Sequence, residues 1–164
     1  MIAFKWLSRG AVAPFTGFRW PADGGWVSAP VGAPEGSGVH ACRAGQLAWW
    51  IGEELWRVEL DGWLVDRETE VEAERARLVE QVTAWDPKAF AAACVARTAA
   101  FAAEAPSAEL RDYLDLIRTL DAPTASYVAA VAALAARGSR AAFAEERAWQ
   151  SQWLERTLRL GGSG

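Results

Sequence analysis

Trp85-Asp86-Pro87 divides this sequence into two grammars. Before it, residues 1 to about 84 are rich in Trp, Gly and Pro, and their apolar residues come in short bursts. After it, residues from about 86 to 160 are rich in Ala, Leu, Arg and Glu. Aspartate followed by proline is itself a helix start: the carboxylate accepts from exposed N–H groups, and proline needs no N–H in the first turn. Strands before that point and helices after it make the chain α+β. The reading is a small twisted, mostly antiparallel sheet with one helix, followed by an Ala-rich four-helix segment packed on it.

Working back from the boundary, Glu54-Leu55-Trp56-Arg57-Val58-Glu59-Leu60 is the clearest strand. Trp56, Val58 and Leu60 alternate with Leu55, Arg57 and Glu59. Asp61-Gly62 reads as a turn, with Trp63 to Val65 returning as a hairpin. Glu68 to Val82 reads two ways: its charge density favours a helix, and Arg77-Leu78-Val79 would close a sheet. Ile2 to Leu7 and Gly17 to Trp20 read as strands, Trp26 and Val27 as a short third, and Val39 to Cys42 as a strand end. Pro30 to Ser37 reads as a loop. Arg43 to Ile51 reads as a two-turn helix closed by Gly52.

Working forward, helix one runs from Pro87 to about Ala103, with Phe90, Cys94 and Phe101 on one stripe. Leu110, Tyr113, Leu114, Ile117 and Leu120 give helix two its 3.6 period. Tyr127, Val128, Val131 and Leu134 are expected inward on helix three, which Gly138 ends. Ser139 opens helix four, where Trp149, Trp153 and Leu160 share a face. The organisation expected is a Trp-rich α+β domain over 1–85, a helical segment over 86–160, and a linker or appended tail over 161–164.

Bulk chemistry excludes several functions. A net charge of −4, with lysine only at Lys5 and Lys88, argues against nucleic acid or an anionic membrane surface as partner. The apolar stretch Tyr127 to Ala136 is far shorter than the ~20 residues of a membrane span. The N-terminal segment lacks the pattern of a signal peptide. Cys42 and Cys94 make no disulfide framework. A soluble, cytoplasmic protein is expected.

Candidate chemistry centres on Gly38-Val39-His40-Ala41-Cys42-Arg43, which holds the only histidine. In a strand, His40 and Cys42 share a face and would enter one pocket. With one His and two Cys in the chain, no structural zinc site is assembled, so no metal is expected. The ordinary alternative is a hydrogen-bonded histidine beside a small apolar cysteine. Of the ten tryptophans, Trp6, Trp20, Trp26, Trp49, Trp50, Trp56 and Trp63 crowd the first half. They pack a small sheet or line a pocket for a flat ligand. Phe18-Arg19-Trp20 would set a guanidinium on an aromatic face. The ligand-binding candidates are His40, Cys42, Arg19, Trp20, Trp49 and Trp50. No Gly-x-x-x-x-Gly-Lys-Ser/Thr or Gly-x-Gly-x-x-Gly phosphate loop is present. The run Glu68, Glu70, Glu72, Glu74 reads as a solvated face.

Two resemblances bear on function. Phe4-Lys5, Gly17-Phe18-Arg19-Trp20, Gly38-Val39-His40-Ala41-Cys42, Leu47-Ala48-Trp49-Trp50 and Leu55 to Gly62, in that order over residues 1 to about 80, resemble an uncharacterised bacterial and phage domain family with a Gly-x-His-x-Cys core. That resemblance implies no activity. Gly38-Val39-His40, then Ala48 and Trp49, then Trp56, Val58, Glu59, Leu60 and Gly62, is similar in order to the middle of ADP-ribosyltransferase-like domains. It implies NAD across a sheet, with His40 where a ring stacks on nicotinamide, although the sequence has no His-Gly pair near its start.

The expected function is a ligand-binding or protein-interaction module without its own chemistry. Its partner would be a small aromatic or nucleotide-like ligand, or a protein on the last helix through Trp149 and Trp153. The competing expectation is an enzyme acting on a nucleotide-like ligand near His40. No catalytic residue is assigned, and no cofactor is identified beyond that NAD-like alternative.

Overall fold

The computed structural model describes residues 1–30 and 36–161. The chain is α+β: a five-stranded antiparallel sheet and a short 3-10 helix, then four α-helices. It divides into two units. One is Met1–Trp85 together with residues from Glu155 onward; the other is Asp86–Leu154. The boundary therefore lies at Trp85/Asp86, and residues 155–160 group with the sheet.

The sheet unit contains β1 (Ile2–Leu7), β2 (Val27–Ser28), β3 (Val39–Ala41), the 3-10 helix Ala44–Trp49, β4 (Glu54–Asp66) and β5 (Val71–Gln81). Strand order is β1-β4-β5-β2, and β3 also pairs with β5. Just past β3, Cys42 exchanges both backbone hydrogen bonds with Phe4 of β1, at 2.8 and 2.7 Å. The ladder β1-β4-β5-β3 thereby returns to β1, which protects strand edges from stray pairing. Its enclosed face carries Ala3, Leu7, Val39, Ala41, Val58, Leu60, Val71, Ala73, Ala76 and Leu78, with Trp20 among them. Trp85 closes the unit against Trp6, ring centroids 4.9 Å apart. Leu158 and Leu160 are buried as well.

Several local expectations change. Asp61-Gly62 is not a hairpin turn. β4 runs on to Asp66 through a register shift between Asp61 and Leu64. Gly62, at φ +80°, absorbs the extra residue. A Cβ there would come within 2.2 Å of the Glu74 carboxylate. The chain reverses instead at Arg67–Glu70. Glu68 to Val82 is not a helix, because Val71, Ala73, Ala76 and Leu78 all face the core from β5. Gly17 to Trp20 is loop with a single bridge, Val12 to Arg19. The expected two-turn helix after Arg43 is 3-10, with Gln46 accepting from the Arg43 N–H at 2.8 Å. In the Pro30 to Ser37 loop, residues 31–35 lie outside the described residues, as do 162–164 of the tail.

The helical unit follows its capping signals closely. α1 (Pro87–Glu104) starts where the Asp86 carboxylate accepts from the N–H groups of Lys88 and Ala89. Ser107 caps α2 (Ala108–Ile117), and Asp121 caps α3 (Ala122–Arg137). Gly138 ends α3 in the left-handed conformation at φ +65°. Ser139 accepts from Ala142 at the start of α4 (Arg140–Thr157). Phe90, Cys94 and Phe101 are buried along α1, as their stripe requires.

α3 differs from its expected face. Its buried side is mostly alanine, with Ser126 and Val128, while Tyr127 is exposed. A second departure is a buried polar network. Glu146 takes Arg97 Nε and Nη2 at 3.0 and 2.7 Å. Gln150 accepts from Ser126 Oγ at 2.8 Å and donates to the Ser126 carbonyl at 3.0 Å. Arg147 donates to Ser126 Oγ. Among the described residues, no helix is long and apolar enough to cross a membrane.

Candidate functional site

β3 carries His40 on the face away from the core, paired across the ladder with Glu72 of β5. The imidazole is 40% exposed, and its Nδ1 lies 3.0 Å from Glu70 Oε2. Glu70 ends the Arg67–Glu70 turn, and that turn is held from the 3-10 helix side. Gln46 Nε2 donates to the carbonyls of Arg67 and Glu70 at 2.8 and 3.3 Å. Trp50 Nε1 donates to Thr69 O at 2.7 Å. Arg43 grips Asp66 with two bonds of 2.7 and 2.8 Å. A carboxylate so fixed orients the ring of a histidine, as an orienting group does for a general base.

Lys5 joins this group from β1. It lies on the core side of the strand, between Ala3 and Leu7. Its Nζ donates to the His40 carbonyl and sits 5.2 Å from the centroid of Trp20. Burial lowers the Lys5 amine from 10.5 to about 8, against the opposing pull of Cys42 and Glu70. The Trp20 ring is buried, and its indole N–H has no hydrogen-bond partner among the described residues.

Cys42 shares strand parity with His40, but its thiol is buried and donates to the Phe4 carbonyl at 3.3 Å. Burial pushes it up to about 12, far from the range of a thiolate nucleophile. Arg19 reaches the Gly10 carbonyl at 3.3 Å, and the cation over Trp20 is that of Lys5. Trp49 is half-buried in the 3-10 helix. Trp50 is partly exposed, its ring edge-to-face with Phe15 at 6.4 Å.

The sequence candidates therefore fall into separate places. His40 meets Glu70 and Lys5; Trp20 meets Lys5; Cys42 meets Phe4; Trp50 meets Phe15. Two shallow hollows of about 300 and 420 Å3 flank Ile2. Phe4, Arg43, Glu155 and Leu160 line the first, Glu59, Arg77 and Val79 the second, and His40 lines neither. Among the described residues, no group of three or more His, Cys, Asp or Glu is placed to hold a metal ion.

Sequence reasoning missed Lys5 and Glu72. The alternation Ala3-Lys5-Leu7 was the available signal for Lys5, since it puts the amine on the apolar face of β1. Glu72 gave none. It sits in the acidic run expected to be solvated, yet it is fully buried. Its Oε1 accepts the Gly36 and Gly38 N–H groups, both at 2.7 Å, and Oε2 takes Arg67 at 2.8 Å. Gly38 has no room for a side chain, because a Cβ would lie 2.5 Å from Trp63 and 2.6 Å from Glu72. Glu72 thus fastens the approach to β3, and with it the position of His40.

A second organised surface lies on the loop from Arg9 to Arg19. Glu53 accepts from the Arg9 N–H at 2.9 Å, and Glu54 from Gly10 and Ala11 at 2.8 and 3.1 Å. Gly10 and Ala11 both have positive φ, +77° and +57°. For alanine that is a strained conformation, kept only where surrounding contacts hold it. This fastened loop carries Phe15, 85% exposed, beside Trp50.

No protein family, curated protein or solved structure matches this chain.

Proposed function

We propose that this protein is a binding module without chemistry of its own, making contact through the aromatic surface of Phe15 and Trp50. The fastened loop carries this reading. Two carboxylates fasten the loop at Arg9 to Ala11, where Ala11 is strained, and further along the same loop Phe15 is displayed to solvent beside Trp50. Contiguous exposed aromatic surface, as Phe15 and Trp50 make together, is characteristic of contact sites. A loop fastened at its base loses less entropy on binding than a free one. The thiol that would offer nucleophilic chemistry is buried and protonated.

The last helix supports the reading less. Trp149 and Trp153 are both half-buried. Arg97 lies 4.6 Å from the Trp149 ring centroid, and Phe90 packs edge-on to Trp153 at 5.4 Å. Both rings already have partners inside the helical unit.

Native mass spectrometry of the chain purified from its own host tests the proposal. A species retained by the wild type and lost in a folded Phe15→Ala variant supports it. Equal retention in both removes Phe15 from the account.

The enzyme reading, with NAD or a similar nucleotide near His40, has its own support in the Glu70-oriented and accessible imidazole. NAD binding by the wild type, abolished in His40→Ala but intact in Phe15→Ala, would replace the binding-module reading with this one.

A further inference from the structure

β4 runs past the end of its neighbour. β1 pairs with it from Glu54 to Glu59, and Leu60 gives its N–H to the Met1 carbonyl. Beyond that point, residues 61–66 pair with β5 on one edge and, among the described residues, with no strand on the other. That free edge is apolar: Trp63 is 40% and Leu64 42% exposed. Proteins normally blunt such an edge with charge or proline. Here Gly62-Trp63-Leu64-Val65 carries neither, and the flanking Asp61 and Asp66 are already paired with Arg75 and Arg43. The bulge lies at the start of the run, between Asp61 and Leu64, so the strand is regular from Leu64 to Asp66. We infer that this edge joins two copies of the chain, β4 pairing antiparallel with β4 of the partner about a two-fold axis at Leu64.

The ladder sets the register. Arg67 gives its N–H to the Glu70 carbonyl, so one alternation back Val65 faces β5, and the backbone groups of Leu64 and Asp66 face outward. A two-fold at Leu64 lets each Leu64 exchange N–H and C=O with the partner's Leu64. Each Asp66 N–H then meets the carbonyl of the partner's Gly62. The Gly62 N–H needs no partner there, because it already donates to the Asp61 carboxylate. Side chains match in the same register. Trp63 and Val65 lie on the face of Glu72, and Trp63 comes opposite the partner's Val65, an aromatic and β-branched pair of the kind that stabilises ladders. Asp61 comes opposite the partner's Arg67, a charge match repeated by the symmetry. Moving the axis to Val65 sets Trp63 against the partner's Arg67 and loses both matches. An isologous contact of this kind closes on itself as a dimer.

The inference does not rest on Phe15 and Trp50, and the full chain tests it. Sedimentation at sub-millimolar protein should give twice the chain mass for the wild type and for Phe15→Ala. Leu64→Pro removes the outward N–H while sparing the bonds to β5; it should sediment as a monomer with an unchanged far-ultraviolet spectrum. Leu64→Cys tests the register without relying on that variant. The two-fold sets residue 64 about 5.5 Å from its copy between Cα atoms, within the reach of a disulfide. In Asp66→Cys the two thiols lie roughly 13 Å apart along the strands. The native Cys42 and Cys94 are buried. Mild oxidation should therefore link Leu64→Cys into a covalent dimer much faster than Asp66→Cys. A monomeric wild type overturns the proposal and leaves the Phe15 reading standing. A dimer that survives in folded Leu64→Pro, or equal cross-linking of the two cysteine variants, overturns the β4 edge as its site.

Discussion

Each unit buries one glutamate almost completely, and the two are held in opposite ways. Glu72 of the sheet accepts two backbone N–H groups and the Arg67 guanidinium. The Arg67 bond, with help from Gly38 and Gly36, holds its carboxyl below the usual range despite desolvation. Glu146 of the helices has Arg97 and, at 3.4 Å, Gln150. There desolvation is the largest effect, and the carboxyl is raised. Desolvation leads at Glu146 and comes second to the Arg67 bond at Glu72, and only Glu72 has backbone donors besides. Backbone N–H groups are fixed by the fold and cost nothing to orient, whereas long side chains must be ordered first. A carboxylate met by backbone is a fastening. One met only by side chains is a charge the helical unit bears at a cost.

The largest expected effect follows directly. Glu72→Leu strands two N–H groups and a guanidinium, and should cost about 3–5 kcal/mol, the usual penalty for breaking a buried charged cluster. Glu146→Gln removes a penalised charge while Arg97, 30% exposed, turns to solvent; it should change stability by about 1 kcal/mol or less. Chemical denaturation of both variants measures this. Equal losses would erase the distinction between the two glutamates.

Acid sharpens the comparison. Glu72 has a folded value below its ordinary 4.5, so its contribution is complete above 4.5 and is lost as pH falls through the folded value. Glu146 has a folded value above 4.5, so the folded state binds its proton first, and stability gains as pH falls toward 4.5. Between about pH 5 and pH 3, amide exchange should therefore accelerate in β5 ahead of α4. Parallel loss of protection in both elements would contradict these assignments.

These glutamates also show what the sequence disclosed. The strand at Glu54 to Leu60 and the starts of α1 and α4 were legible, because alternation and capping are local signals. β5 was legible only as one of two readings, because alternating Glu and Arg on a strand's outer face resembles a solvated helix. Glu72 was hidden in that pattern, since only a loop from far upstream distinguishes it from Glu68 and Glu74. Glu146 and Gln150 stand one helical turn apart, and polar residues at that spacing normally face water. His40 was legible as a candidate; its partners come from elsewhere, Glu70 from the turn between β4 and β5 and Lys5 from β1, and depend on the closure of the ladder at Phe4 and Cys42.

Alkaline pH probes the same contrast on a cation. Lys5 titrates at about 8 folded and 10.5 unfolded. The unfolded chain binds the extra proton in that window, so stability should rise from pH 8 to 10.5. The rise should be on the order of 2 kcal/mol, allowing for the partly solvated amine. Lys5→Met should flatten it, and a wild-type profile already flat would show that burial does not govern this amine.

The smallest effect concerns the thiols. Burial pushes both Cys42 and Cys94 up to about 12, so neither should react with iodoacetamide at pH 8 in the folded protein, and both should react in denaturant. Rapid native alkylation of Cys42 would return it to the list of chemical groups.

The binding claim is tested most directly by NMR mapping of whatever species co-purifies with the chain from its host. The Trp50 indole N–H, bonded to the Thr69 carbonyl, offers a distinct probe beside Phe15. The account predicts that the Trp50 indole and the amides around Phe15 shift on addition of that species, while His40 and Glu70 stay in place. Shifts centred on His40, Glu70 and Lys5, with Phe15 and Trp50 unmoved, would contradict it.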